Sequence, residues 1–428
     1  EFVFAGACPH AVNNKDAVKI QNIKFTYWDG KDQDVVAKGF SEGQYSKARI
    51  YPTSSTYEKY ASEFKDNIFF NEPGSAIATV SVNYGRTTYN HTSKTTDSQK
   101  ESTRKALLNK EFRQALNFAV DRNSYSAQTN GTEGAAVGIR NTFSPYDLQV
   151  GDKQFGKLVE ESLAKTNSST WSNVSLADSQ NGLYNEEKAK AAFAKAKESL
   201  KAEGVEFPIH LDVSVDQSAK KGVLEASSLK QSIESVLGAE NVVIDIQQLS
   251  TDDYDNSSYL AQTAAQKDFD IYNGGWSADY LDPSSYLDIL NVNNGGMLQN
   301  LGLEPGEVND KAKAVGLDTY TQMLEEANKE QDPAKRYEKY AEIQAWLVDS
   351  ALAIPNVSQG GTPTLRKTVP FSAPFSQAGN KGVESYKYLK LQDKTVTTDE
   401  YEKAKEKWQK EKEESNKKAQ EELAKHVK

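Results

Sequence analysis

One segment of the chain combines residue types that could do chemistry. Residues 270–290 read DIYNGGWSADYLDPSSYLDIL, so a double glycine, a tryptophan and two carboxylates follow a predicted buried strand. Asp282 precedes Pro283 and an apolar run, and we expect it to cap a helix whose first residue is Pro283. Asp279 has no such structural explanation and lies in a predicted irregular stretch, where binding residues concentrate. Asp279 is therefore the residue whose chemistry must be explained.

An enzyme would use Asp279 and Asp282 as an acid and base pair, which requires both carboxylates to face one cleft. Asp282 is already explained by capping. The sequence also has no Gly-x-Ser-x-Gly elbow, no phosphate-binding loop and no plausible Ser/His/Asp set among its four histidines. We therefore expect a protein that is not an enzyme.

Binding of a free peptide makes better use of the same residues. Every free peptide carries an α-ammonium group, and Asp279 could hold it by a charge-assisted hydrogen bond. Gly274 and Gly275 would let a ligand main chain approach closely, and the main chain of Gly275 to Ser277 could pair with an extended peptide as an added strand. Trp276 would either line the pocket or pack in the core, and the sequence leaves both interpretations open.

Composition excludes several other classes of function. The net charge is −10, from 51 Lys+Arg against 61 Asp+Glu, so nucleic acid is not an expected partner. A single cysteine, Cys8, and four histidines without zinc-type spacing predict neither a metal site nor another cofactor. Small residues precede Cys8 as at a lipoprotein cleavage site. Because only seven residues precede it, we expect a fusion remnant or shifted reading frame rather than lipidation there.

The elements around residues 270–290 alternate between strand and helix. Periodicity predicts a strand over 209–215, a helix over 220–237, a strand over 242–249, a helix over about 254–265 and a strand over 269–273. This order predicts a parallel sheet whose ligands collect beyond the carboxyl ends of the strands. Gly274 and Gly275 would then follow such an end.

The rest of the chain predicts a mixed α/β protein with a charged helical tail. No run approaches the ~20 apolar residues that cross a bilayer. Thr397 and Glu400 are spaced as a capping box for the tail helix. The other predicted elements are strands over 18–28, 48–51, 77–84 and 351–357, and helices over 54–64, 109–125, 185–204 and 334–347.

Three motifs together resemble one known family. Residues 275–280 (GWSADY), followed by Asp282 and Pro283, resemble the hallmark segment of the oligopeptide and dipeptide solute-binding proteins of ABC importers. Residues 111–122 (EFRQALNFAVDR) resemble the family's signature helix, and 341–355 its late helix and strand. The charged C-terminal extension is similar to that of the streptococcal oligopeptide-binding lipoproteins. The resemblance covers about residues 15–395.

The resemblance implies the capture of short peptides and their delivery to the permease subunits of an ABC importer. It places the protein at the extracellular face of the cytoplasmic membrane, as a monomer held by a lipid anchor. Asp279 would hold the peptide's amino group, and Gly275, Trp276 and Ser277 would contact its main chain. Weaker candidates for ligand contact are Asn273, Asn83 with Tyr84, and Asn356. A structural role is expected for Arg113, Asp121 and Arg122 of the signature helix.

The implied fold is α/β, with the two lobes and hinge of a class II periplasmic binding protein and the peptide in the cleft between the lobes. Lobe one would comprise 15–100 and 358–395, lobe two 101–357, and the charged helix 396–428. Residues 1–14 match nothing in the family, and lobe one is expected to be incomplete. Three alternatives remain: a binding protein for an oligosaccharide or metal chelate, a fragment without function, and a hydrolase.

Overall fold

A computed structural model describes residues 2–3, 20, 22–306, 309–372 and 388–426. Cys8 and almost all of the unmatched segment 1–14 lie outside the described residues. The strands, in chain order, are β1 (Phe2–Val3), β2 (Lys24–Phe25), β3 (Lys47–Arg49), β4 (Phe69–Phe70), β5 (Ile77–Val82), β6 (Gln149–Val150), β7 (Lys153–Gln154), β8 (Ile209–Asp216), β9 (Val242–Leu249), β10 (Ile271–Trp276), β11 (Ala353–Ser358) and β12 (Pro363–Arg366).

The helices lie mostly between these strands. In chain order they are α1 (Asp34–Ser41), α2 (Tyr57–Glu63), α3 (Asp97–Leu108), α4 (Lys110–Ala119), α5 (Arg122–Gly134), α6 (Phe155–Thr166), α7 (Ser168–Trp171), α8 (Glu186–Ala202), α9 (Lys220–Leu237), α10 (Thr251–Ser257), α11 (Ser284–Leu287), α12 (Asp310–Ala314), α13 (Leu317–Lys329), α14 (Pro333–Ser350) and α15 (Thr398–His426). Short 3-10 turns cover Ala264–Gln266, Asp288–Leu290 and Leu298–Leu301.

The described chain divides into two compact units. The larger contains Pro73–Gln128 and Ala135–Gln359, and the smaller contains the described residues of Glu1–Glu72, Thr129–Gly134 and Gly360–Lys428. This division differs from the expected one over residues 73–100 and 358–359, which we assigned to lobe one, and over residues 129–134, which we assigned to lobe two. For residues 73–100 the physical reason is that β5 pairs with two strands of the larger unit.

A mixed five-stranded sheet forms the centre of the larger unit, in the order β11-β5-β10-β8-β9. As predicted from the alternating elements, β8 runs parallel to β9 and to β10. The other two strands run antiparallel: β5 pairs with β10 on one side and with β11 on the other. Helices α3, α4, α6, α8, α9, α13 and α14 contribute buried apolar side chains to the single core around this sheet.

The signature segment forms two helices rather than the single helix expected over 109–125. Asn109 caps α4 and Asp121 caps α5, because its side chain accepts from the N–H groups of Asn123 and Ser124. This cap, together with extended backbone at Val120 and Asp121, ends one helix and begins the next.

The smaller unit has a three-stranded antiparallel sheet, in the order β3-β12-β4. Phe40, Ile50, Tyr60 and Leu365 are among its buried apolar residues. Tyr401, near the start of the tail helix α15, stacks on Phe69. The predicted capping box of this helix is present, since Thr397 and Glu400 each accept from the other's main-chain N–H.

A buried ion cluster fixes the start of β10 in the larger unit. Arg86 lies 2.6 Å from Asp212 and 2.8 Å from Asp268, and Lys94 lies 2.6 Å from Asp212 and 2.5 Å from Asp270. All five side chains are at most 2% exposed. The cluster joins the segment after β5 to β8 and to the residues just before β10.

Candidate functional site

The strand β10 extends further than expected. We predicted that it ends at Asn273, but it continues to Trp276, so Gly274 and Gly275 lie within the strand. The cause is pairing with β5, where Gly275 lies opposite Ala78. A Cβ atom on Gly275 would lie 3.1 Å from the carbonyl oxygen of Ile77, which is a tight approach to main chain.

The direction of the main-chain groups in β10 follows from the outer strand β11. Pro355 lies opposite Thr79, yet its carbonyl accepts from Arg122 Nε at 2.8 Å and therefore points away from β5. Thr79 consequently directs its own N–H and carbonyl towards Gly274. By alternation, the N–H and carbonyl of Gly275 point away from β5, and Gly275 is exposed whereas Gly274 is buried.

The N–H and carbonyl of Gly275 point towards the edge of β10 along which β8 pairs over a short length. Among the described residues, the ladder between these strands consists of the pair Ile271 and Val213. Beyond this pair β8 continues to Asp216 paired with β9, and the outward groups of Asn273 and Gly275 have no ladder pair in β8. An extended peptide could add there as a short strand.

A loop presents Asp279 directly after β10. Asp279, Tyr280 and Leu281 are consecutive and all exposed. At the near end of the loop, the indole N–H of Trp276 donates to the carbonyl of Ser285 at 2.9 Å. Both ends of the loop are fixed, because its far end is held by the carboxylate of Asp282.

Asp282 has the structural role that the sequence predicts. One of its oxygens accepts from the main-chain N–H of Ser284 at 2.9 Å, and the other accepts from the hydroxyl of Tyr337 at 2.6 Å. The assigned helix α11 begins at Ser284, one residue later than expected, although Pro283 already has helical backbone angles. A carboxylate with both oxygens used in this way serves the fold rather than proton transfer.

Of the two roles that the sequence left open for Trp276, the structure shows packing against the core, and lining of a ligand pocket stays a prediction. The Trp276 side chain is half-buried and packs against the core of the larger unit together with Ala278. Its only polar group is used to hold Ser285. The ring lies close to Gly296, where an added Cβ atom would be 3.0 Å from it, and the next residue, Ser277, is exposed.

A second carboxylate lies in the electrostatic neighbourhood of Asp279. Asp288 follows α11, and burial of its carboxyl, followed by the negative charge of Asp279, raises its pKa above the ordinary value. Two carboxylates that repel each other favour a cation between them. This pair was not recognised in the sequence, because Asp288 belongs to an ordinary apolar helical run.

Asn83 and Tyr84 do not join this loop. The main-chain N–H of Asn83 donates to the carbonyl of Asp270, just before β10. The six residues of β10 place the loop about 20 Å from that point. The side-chain amide of Asn83 donates to the carbonyl of Lys267 at 3.2 Å, and its side-chain oxygen accepts from Gly85. The hydroxyl of Tyr84 donates to the carbonyl of Leu352, and burial raises its pKa to about 12. Both side chains therefore have partners within the fold, and contact of either residue with a ligand stays a prediction.

Asn273 and Asn356 differ from Asn83 and Tyr84, because the side-chain oxygen of each asparagine accepts no hydrogen bond from the described residues. Asn356 lies at the bulge in β11, is 1% exposed, and its main-chain carbonyl accepts from Arg140. Within the described part of the chain, the side-chain oxygens of both asparagines are buried without a hydrogen-bond partner. Only Asn273 lies in the strand that leads to Asp279, so it remains the stronger candidate.

The polar residues of the signature helices bond to main chain, as their predicted structural role requires. Arg113 donates to the carbonyls of Leu107, Leu108 and Ser350. Arg122 is fully buried, donates to carbonyls including that of Pro355, and has its pKa lowered to about 9 by burial. The bond of Arg122 directs the Pro355 carbonyl away from β5, and the direction of the main-chain groups at Gly275 follows from it.

Neither a metal site nor a membrane-spanning helix was found in the part of the chain that the structure describes. Over those residues, no three His, Cys, Asp or Glu side chains are grouped to hold a metal ion. No helix among them has the length and apolar character needed to cross a bilayer.

Comparison with known sequences gives a consistent set of relatives. Residues 10–297 match the family described as bacterial extracellular solute-binding proteins, family 5 Middle. The match begins at residue 10, so the expectation that none of residues 1–14 resembles the family is wrong for residues 10–14. The chain is 60% identical over 412 residues to the oligopeptide-binding protein AliB of Streptococcus pneumoniae, covering 96% of this chain and 63% of that protein. It is 54% identical over 420 residues to the oligopeptide-binding protein SarA of Streptococcus gordonii, covering 97% and 63% respectively. The chain thus spans 63% of the length of these two relatives.

A solved structure shows the same fold. The structure of OppA from Listeria monocytogenes bound to peptide superposes with a TM-score of 0.55 at 18% identity, covering 89% of this chain and 60% of that one. With the family match, this likeness confirms the predicted α/β fold of the two-lobed solute-binding class.

Proposed function

Because the chain belongs to family 5 of the bacterial extracellular solute-binding proteins, we propose that it captures short peptides outside the cell for an ABC importer. The binding element is the end of β10 with the loop that follows it. Its parts are the carboxylate of Asp279 and the outward main-chain groups of Gly275.

The observation that carries this proposal is the position of an exposed carboxylate just beyond a stretch of strand edge, Asn273 to Gly275, for which the described residues provide no ladder pair in β8. Asp279 lies four residues after Gly275, whose N–H and carbonyl point away from β5. A free peptide has a positive end and a main chain of alternating donors and acceptors. The carboxylate would hold the ammonium group while the edge of β10 pairs with the main chain.

These two contacts do not depend on the ligand's side chains, so they suit a protein that accepts many peptide sequences. Asp288 increases the negative potential beside Asp279 and strengthens the preference for a cationic group. An oligosaccharide has no ammonium group and would not use the negative charge of these two carboxylates.

The relatives support the same class of ligand. Both relatives compared are named as oligopeptide-binding proteins. The partners we propose are a short peptide and the permease subunits of an ABC importer, with a lipid anchor holding a monomer at the membrane surface. The proposal includes no chemical step on the ligand.

Ligand mass tests this proposal. We would express the chain in bacteria, purify it without denaturant, release bound material with acid and identify it by mass spectrometry. We expect a mixture of short peptides with free amino termini, greatly reduced in the Asp279→Asn variant purified in parallel. Recovery of a sugar or metal chelate instead, or of equal peptide from both proteins, would contradict the proposal. Incubation of the recovered peptides with the protein should leave their masses unchanged.

A further inference from the structure

Two large apolar residues are exposed immediately beside Asp279. Tyr280 is 62% exposed and Leu281 is 41% exposed. Single exposed apolar side chains are common on protein surfaces, but here two follow each other next to the carboxylate proposed to hold a ligand. Neither the proposed contact of Asp279 with the ammonium group nor the proposed main-chain contacts along β10 involve these two side chains.

The fold holds this pair outward. Trp276 and Ala278 pack against the core before the pair, and Pro283 is buried after it. The hydrogen bonds of Trp276 with Ser285 and of Asp282 with Ser284 fix the loop on both sides. Tyr280 and Leu281 thus lie at the tip of an anchored loop, where ordering them on binding costs little main-chain entropy.

The position of the pair relative to Asp279 selects one part of a peptide. In any peptide the first side chain branches from the same carbon that carries the ammonium group. Tyr280 is adjacent to Asp279, with the two Cα atoms about 3.8 Å apart. An ammonium group held by Asp279 therefore brings the first side chain within reach of Tyr280, and more distant side chains lie further along the strand edge.

We propose that Tyr280 and Leu281 form the contact surface for the first side chain of the bound peptide and select peptides that begin with a large apolar residue. This inference rests on the proposed peptide-binding function and adds a preference to it. The surface is apolar and open on one side, so it favours leucine, isoleucine or phenylalanine over glycine through burial of apolar area. Neither Tyr280 nor Leu281 is charged, so the preference of these two side chains depends on burial of apolar area.

The chain contains a matched control for this surface. Tyr259 and Leu260 form the same dipeptide, 76% and 50% exposed, in the segment after α10. They are not adjacent to Asp279 in the chain. Any general effect of removing an exposed tyrosine and leucine should be equal at the two places.

The test measures peptide selectivity by titration calorimetry with the full chain. The probes are two pentapeptides, one with leucine first and one with glycine first, each followed by four alanines. We expect the wild-type protein to bind the leucine peptide about tenfold more tightly, from the apolar area that one leucine side chain buries. The double variant Tyr280→Ser with Leu281→Ser should bind both peptides within about twofold of each other, whereas Tyr259→Ser with Leu260→Ser should keep the tenfold ratio.

Each outcome is informative. A tenfold ratio retained in the Tyr280 and Leu281 variant, or no ratio in the wild-type protein, overturns the inference while leaving peptide binding intact. Failure of the wild-type protein to bind either peptide contradicts the proposed function as well. Unfolding midpoints should be equal for both double variants, because all four side chains are exposed, and a lower midpoint for the loop variant would show that its selectivity loss is structural.

Discussion

The indole N–H of Trp276 donates to the main-chain carbonyl of Ser285 at 2.9 Å and joins the end of β10 to the start of α11. The loop that carries Asp279 lies between these two points. This hydrogen bond is one of those that hold the loop, together with the bonds of Asp282, and it makes Trp276 a positioning residue for the proposed site as well as part of the core.

Replacing Trp276 by phenylalanine keeps an aromatic ring but leaves the Ser285 carbonyl without its donor. We expect the free energy of unfolding to fall by about 1–2 kcal/mol and peptide affinity to fall severalfold, measured by urea denaturation and calorimetry. Trp28→Phe is the control, since the Trp28 indole also donates to a main-chain carbonyl at 2.9 Å, that of Asp32. It should lose stability without losing affinity, and equal affinity losses in both variants would argue against a positioning role.

The alternation of main-chain groups along β10 predicts opposite effects of proline at neighbouring positions. Gly274 uses its N–H in the ladder with β5, so Gly274→Pro should lower the free energy of unfolding by about 3 kcal/mol or more. Gly275 directs its N–H away from β5, so Gly275→Pro should keep the ladder bonds and cost less stability than Gly274→Pro, although its Cβ atom would lie close to the Ile77 carbonyl, and it should abolish pairing with a peptide. Urea denaturation and calorimetry of both variants test this. A folded Gly275→Pro variant with normal affinity would exclude strand addition at this edge.

The proximity of Asp279 and Asp288 predicts a measurable shift. Because the charge of Asp279 contributes to raising the pKa of Asp288, the Asp279→Asn variant should have a lower pKa at Asp288. Binding of an ammonium group should lower it in the same direction, since a cation favours the ionised form. Carbon-13 NMR titration of the aspartate carboxyls measures both effects. An unchanged Asp288 pKa in the variant would show that the charge of Asp279 does not influence the Asp288 carboxyl.

The buried ion cluster at the start of β10 predicts a pH-dependent loss of stability. Lys94→Met leaves Asp212 and Asp270 buried with Arg86 as their remaining cation, which should cost about 3–5 kcal/mol of unfolding free energy at neutral pH. Burial alone would raise the pKa of Asp212, but the charges of Lys94 and Arg86 outweigh it and hold that pKa below the ordinary value.

A depressed carboxyl pKa contributes stability that is present above the unfolded-state pKa, about 4, and is lost as the pH falls below it. The difference between wild type and Lys94→Met should therefore shrink on acidification, as followed by urea denaturation. Lys100→Met is the control, because Lys100 pairs with the exposed Asp97 and should cost less than about 1 kcal/mol. Similar losses in the two variants would contradict the structural importance of the cluster.

Local patterns in the sequence predicted several elements to the residue. The helix Lys220–Leu237 and the strand Val242–Leu249 have the predicted bounds, because Gly238 separates two strongly periodic segments. The role of Asp282 was also predictable, since capping depends on near neighbours in the chain.

Long-range relationships were not predictable in the same way. The pairing of β5 with β10 joins segments almost 200 residues apart, and the partners of Arg86 are as distant, so no local pattern signals them. The helix α6 was missed because the polar composition of residues 140–180 concealed Phe155, Val159 and Leu163, which recur every four residues. The end of β10 was misplaced because a double glycine usually ends a strand.

The most direct test of the account compares a free peptide with its N-acetylated form by calorimetry on wild type, Asp279→Asn and the control Glu326→Gln, which removes an exposed charge from α13. A charge-assisted hydrogen bond worth about 2–3 kcal/mol predicts that acetylation weakens wild-type and control binding by about 30- to 150-fold. Acetylation of the peptide should have little effect on its binding to the Asp279→Asn variant. Equal affinity of the wild-type protein for the free and acetylated peptides would contradict the central claim that Asp279 holds the ammonium group.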